Sequence, residues 1–232
     1  AKQNCGIKTL EPWDVAYVSE KLSQQLYDIE QLKLRDYFPE AQVLSGLFTL
    51  AERLFGIKIV ERHGVKMYHQ DVRVFKILDR SGKMMAEFYL DLYARPGKRG
   101  GAWMDECKVR RVLPDGKLIL PSAYLVCNLN PPAKGKPALF TLSEIDVIFH
   151  EFGHVMQHLL TKVDCYSVSG IRGVPWDAVE FPSQFFEEWC FTAPVLKMLS
   201  AHVVTGKKLP DELIAKIIAS HNYQSGLKMV RQ

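Results

Sequence analysis

No Cys-x-x-Cys pair occurs in this chain of 232 residues, and its five cysteines (Cys5, Cys107, Cys127, Cys165 and Cys190) stand far apart. That spacing argues against a thiolate zinc finger. An odd number without a pairing pattern is the usage of reduced thiols in a cytoplasmic protein. No apolar run reaches the roughly 20 residues of a membrane span, and the first residues carry no signal-peptide pattern, so no membrane partner is expected. Charge of one sign is also missing. The 30 Lys and Arg are interspersed with 26 Asp and Glu, leaving a net +4 and no basic stripe of the kind that tracks nucleic acid. There is no internal repeat and no low-complexity tract. The Gly-rich stretch "RPGKRGGAW" lacks the order of a phosphate loop and reads as a connection between strands.

What is present is a globular composition, 47% hydrophobic, in a chain long enough to bury a real core. Residues 1–56 read as helical. Val15, Val18, Leu22, Leu26 and Ile29 recur at threes and fours, as do Val43, Leu47, Leu50 and Leu54. Pro39 opens the second of these helices and Gly56 closes it. Residues 57–130 switch to strand patterns. "IKIVER" alternates, and "DVRVFKIL" and "MMAEFYLDLYAR" flank a turn at Asp79–Lys83 that reads as an antiparallel hairpin. "KVRRVL", the turn "PDGK" and "PSAYLVCNLN" follow. Residues 141–232 are helical again. The last stretch, "HNYQSGLKMVRQ", breaks off inside an amphipathic pattern without a stop signal, and the chain opens on Ala1, so both ends read as cuts through a longer protein. The expected fold is α+β and mostly helical, with a small, mainly antiparallel sheet, in one continuous body.

The chemistry concentrates in "FTLSEIDVIFHEFGHVMQHLL", residues 140–160. Thr141 and Glu144 form a capping-box pattern, and Ile145, Ile148, Phe149, Phe152, Met156 and Leu159 mark a helix apolar around most of its circumference. His150 and His154 are four apart, which stacks them on one face about 6 Å apart along the axis. Two imidazoles so placed can share one Zn²⁺, and Glu151 beside them can take a proton from water at the metal. Gly153, a poor helix former, suits that face if another backbone or a substrate packs close against it. His158 continues the face but lies about 12 Å of helix rise from His150, too far for one ion; it either supports the site from behind or packs. The third ligand must then come from another helix, and Glu180 is the candidate. A Gly-rich loop can return the chain, Asp177 can cap the next helix, "AVEFPSQFFEEWCFTAPVLKML", and Pro182 would kink it. On that helix Glu180, Gln184 and Glu187 share a face. Glu187 either orients a ligand imidazole or, like Glu188, is a solvated acid.

"FHEFGH", "SGIRGVPWDAVEFPSQFFEEW", "FYLDLYARPGKRGGAW" and "LEPWD" together resemble the thimet oligopeptidase family of zinc metallopeptidases, in particular its bacterial branch. The resemblance implies zincin-like helices with one zinc per chain on His150, His154 and Glu180, and Glu151 as general base. It implies a cytoplasmic, monomeric endopeptidase acting on short peptides, with folded proteins kept out by a deep channel. It further implies that "PSAYLVCNLN" is the strand whose edge pairs with bound peptide. One departure stands out. The family's substrate-binding His and Tyr, in a Gly-Tyr-rich segment after the Glu ligand, have no match before Gln232. His221 and Tyr223 have the residue types without the pattern. Two other readings stay open: a zinc-binding chain with little turnover, and a non-enzymatic helical scaffold.

Overall fold

The computed structural model describes residues 6, 7, 9–27, 31–223, 226 and 230. Ile29, Cys5 and most of the expected helix beyond Tyr223 lie outside the described residues. The chain opens with helix α1 (Asp14–Tyr27), a single turn α2 (Gln31–Leu34) and helix α3 (Glu40–Phe55). Pro39 takes the N-cap position of α3, and Gly56 ends it in the left-handed conformation at φ 65°, where a side chain would be strained.

Seven strands follow: β1 (Lys58–Glu61), β2 (Arg73–Leu78), β3 (Met84–Tyr93), β4 (Trp103–Lys108), β5 (Arg111–Val112), β6 (Leu118–Ile119) and β7 (Ser122–Leu129). The main sheet has the order β1-β2-β3-β7-β4, and β5 pairs with β6 separately. The β2–β3 hairpin forms as its turn chemistry predicts. Asp79 Oδ1 accepts from the amides of Ser81 and Lys83 at 2.8 and 3.0 Å, and its own amide bonds the Lys83 carbonyl. Three of the four pairings in the main sheet are antiparallel, while β3 and β7 run parallel. That parallel pairing is possible because β4, β5 and β6 fill the long connection between its two strands.

This topology corrects one expectation. The segment "PSAYLVCNLN" forms β7, which is hydrogen-bonded to β3 on one side and β4 on the other, so it has no edge to offer a peptide. The free edge on that side of the sheet belongs to β4.

One face of the sheet is covered by α3 and by helix α4 (Leu142–Leu159). Phe75 and Phe88 stack on adjacent strands at 5.2 Å, and Phe48 of α3 and Phe152 of α4 close over them. Ile145, Ile148, Phe149, Phe152, Val155, Met156 and Leu159 of α4 are all in this core. Thr141 caps α4 with the full capping box: its hydroxyl accepts from the Glu144 amide and its own amide donates to Glu144. Among the described residues no helix is long and apolar enough to cross a membrane.

The last segment departs from the single long helix expected from Ala178 to Leu199. It is a 3-10 turn (Trp176–Ala178), helix α5 (Phe181–Cys190) and helix α6 (Ala193–Leu199), followed by helix α7 (Asp211–His221). The prolines explain the breaks. Pro182 and Pro194 each sit in the first two positions of a helix, where a missing amide is no loss. Pro182 therefore starts α5 rather than kinking it, and Asp177 lies in the 3-10 turn and caps nothing.

Candidate metal centre

Helix α4 places His150 and His154 one turn apart with ring centroids 5.0 Å from each other. Glu180, at the N-cap of α5, meets both. Its Oε2 lies 3.3 Å from His150 Nε2 and 3.1 Å from His154 Nε2. The three ligand atoms fall within 4.8 Å of one another. A tetrahedral ion with bonds of about 2 Å spaces its ligands about 3.3 Å apart, so this cluster needs little adjustment to close on a metal.

The approach of the two helices is set by Gly153. A Cβ at that position would stand 2.4 Å from the Pro182 carbonyl oxygen and 2.6 Å from Ser183 Cα. Only glycine lets the α5 backbone come this near, and the close contact brings Glu180 over the imidazole pair. The sequence placed a close-packing partner at Gly153, and the partner is the first turn of α5.

Glu187, two turns further along α5, is hydrogen-bonded to Nδ1 of His150. This fixes the ring and leaves Nε2 facing Glu180, the arrangement by which a carboxylate orients a metal-binding imidazole. His154 is half-buried and its pKa is lowered, chiefly by burial, against the opposing pull of Glu180. Two imidazoles and one carboxylate form a donor set that suits Zn²⁺.

Glu151 points elsewhere, as its position on the helix requires. It is buried, 7% exposed, and burial raises its pKa, with the charge of Glu180 adding to the effect. The His150 ring and the nearby Met104 amide of β4 oppose this and favour the ionised form. A carboxylate of raised pKa beside a metal cluster has the character of a general base.

His158 is not part of this group. Its Nε2 donates to the Lys108 carbonyl at 2.9 Å, its ring is fully buried, and Gly170 packs on Nδ1 so tightly that a Cβ would come within 2.3 Å. It ties α4 to the end of β4. Three contributors escaped the sequence reading. Ser183 donates to Glu180 Oε2 at 2.8 Å. Asp146, one turn before His150, has its carboxyl pushed up to about 6 by burial and by the charge of Glu187. The Met104 amide comes from a strand distant in sequence. The i+3 spacing of Ser183 from Glu180 and the i−4 spacing of Asp146 from His150 were legible signals; nothing local pointed to Met104.

An H-E-x-x-H helix crossed by an acid from a second helix is the donor pattern of metal-dependent hydrolases. The chain matches the model of peptidase family M3 over residues 1–232 and belongs to that family. It is 51% identical to oligopeptidase A of Escherichia coli (strain K12) over 232 residues, which are 100% of this chain and 34% of that protein. It is 44% identical over 229 residues to a probable cytosolic oligopeptidase A of Arabidopsis thaliana, covering 97% of this chain and 33% of that protein. It is also 38% identical over 229 residues to a dipeptidyl carboxypeptidase of Escherichia coli (strain K12), covering 98% and 33%. The chain thus spans about a third of the length of these relatives.

Proposed function

We infer that this chain carries the zinc site of a metallo-endopeptidase that hydrolyses internal bonds of short peptides. The observation that carries the reading is the convergence of His150 Nε2, His154 Nε2 and Glu180 Oε2, with Glu151 buried alongside. These three residues would hold the ion. Bound there, zinc supplies Lewis-acid chemistry, polarising a peptide carbonyl and lowering the pKa of water towards about 7.

The chain's own residues do the rest. Glu151 takes a proton from the attacking water onto a carboxylate oxygen and passes it to the departing amine. Its burial suits the first half of this task, because a base of raised pKa is a better acceptor. The nearby Met104 amide favours its ionised form. Glu187 keeps the His150 ring oriented. The peptide lies along the free edge of β4, where main-chain pairing gives affinity without demanding one sequence; Met104 of that strand stands near Glu151. The same reading makes the protein a cytoplasmic monomer, and the relative named as cytosolic points the same way.

The alternative reading is zinc binding with little turnover: His221 and Tyr223 have the residue types of the family's oxyanion-stabilising donors without their pattern. Losing one oxyanion donor typically costs about 10²–10³ in kcat.

Metal content and cleavage of an internally quenched peptide test both readings. The parent chain should take up one zinc, and Glu151→Gln should keep it while losing about 10²–10⁴ in rate. Zinc without cleavage by the parent chain supports the second reading. Cleavage by Glu151→Gln at the parent rate removes Glu151 from the mechanism, and no zinc uptake at neutral pH leaves only the scaffold.

A further inference from the structure

Glu180 is an unlikely-looking anchor for a metal when taken alone. Its side chain is 50% exposed, long, and at the N-cap of a helix. A free glutamate in that position samples several rotamers, and a ligand that must be ordered at the moment of binding weakens the site. Yet its Oε2 already sits between the two imidazoles.

The group that holds it there is Ser183. This residue is fully buried, so water does not compete for its hydroxyl. Its Oγ lies 2.8 Å from Glu180 Oε2 and 2.8 Å from the Glu180 backbone oxygen, and it has one proton to give. Both acceptors belong to the same residue, so wherever the proton goes it restrains Glu180. The oxygen bonded is the one facing His150 and His154. Ser183 is itself immobilised against α4, because its Cα would be 2.6 Å from a Cβ at Gly153.

We propose that Ser183 is the positioning residue of the third ligand, its hydroxyl holding Glu180 Oε2 in line with His150 and His154 so that the site is ordered before metal arrives. The proposal rests on the zinc-site reading above. A carboxylate oxygen has two lone pairs, so the Ser183 bond and a metal bond are compatible on Oε2. Loss of a group that orients a metal ligand typically weakens binding about 10- to 100-fold.

The test is zinc competition against a chromophoric chelator, run on the 232-residue chain and on Ser183→Ala, with the visible spectrum of the Co²⁺ form and the melting of the metal-free protein recorded for each. Ser183→Ala should bind zinc about 10- to 100-fold more weakly and show altered Co²⁺ bands, while the metal-free melt stays near that of the parent. A second pair, Ser183→Thr and Ser183→Val, matches in size and differs in the hydroxyl; zinc should bind more tightly to the Thr form. This pair decides the matter if Ser183→Ala does not fold. Parent-like affinity and Co²⁺ bands in Ser183→Ala overturn the proposal, as does equal affinity of the Thr and Val forms. If the parent chain itself binds no metal, the zinc-site reading fails first, and that failure is seen before any variant is made.

Discussion

Gly153→Ala tests whether the contact between α4 and α5 builds the metal site. The new methyl would meet the Pro182 carbonyl oxygen at 2.4 Å, the Ser183 Cα at 2.6 Å and the Pro182 carbonyl carbon at 2.8 Å. All three are backbone atoms, so no rotamer change relieves the clash. Ordinary contact requires α5 to retreat by about 1 Å at its first turn. Glu180 sits at that turn and would leave its position 3.1 Å from His154 Nε2. Two opposing terms act on stability. Alanine is the better helix former by about 1 kcal/mol, whereas overpacking a close contact costs about 1–3 kcal/mol. The net effect on the metal-free protein is a loss of about 0–2 kcal/mol. The effect on the site has no such offset, and zinc affinity should fall by about 10- to 100-fold. Chemical denaturation of the metal-free chain and chelator competition measure the two quantities separately. A variant that is more stable than the parent and binds zinc equally well would refute the reasoning, since helix propensity would then be the only term that matters at Gly153.

Two further outcomes are expected. Glu187→Ala removes the partner of His150 Nδ1 and frees the ring to turn, so zinc should bind about 10- to 100-fold more weakly; unchanged competition curves would make Glu187 a bystander. The thiols should divide by burial. Burial, with the nearby charge of Glu151, pushes the Cys127 thiol up to about 12, and burial likewise raises Cys190. Cys165 is exposed, and its hydrogen bond with Ser167 lowers its pKa. At pH 8 a thiol reagent should label Cys165 in the native chain, and Cys127 and Cys190 only in denaturant. Mass-resolved labelling of all three at similar rates under native conditions would contradict the packing described.

Local patterns proved sufficient wherever one element decides the outcome. The capping box at Thr141, the stop at Gly56, the Asp79–Lys83 turn and the i, i+4 histidines are events within a few residues, and each formed as its residues required. The reading failed where a proline has two uses. Pro182 and Pro194 were compatible with a kinked helix or with fresh helix starts, and the chain uses them as starts. The expectation drawn from the resemblance failed at "PSAYLVCNLN", since a strand-like segment shows that a strand exists and not which neighbours it acquires.

The sequence by itself picked out the proposed donor set, His150, His154 and Glu180 for a metal and Glu151 for a proton, and a glycine between them awaiting a close neighbour. Helical spacing alone puts three of these on one turn. Only the tertiary structure decided that Glu180 enters from a helix N-terminus, that Ser183 donates to it, that Glu187 bonds His150 while His158 bonds the Lys108 carbonyl, and that β4 forms the sheet edge near Glu151. The physical reason is range. Covalent spacing fixes what lies within a turn of helix, whereas the meeting of α4, α5 and β4 depends on how close two backbones can pack, and that distance is set at Gly153 by an atom that is not there.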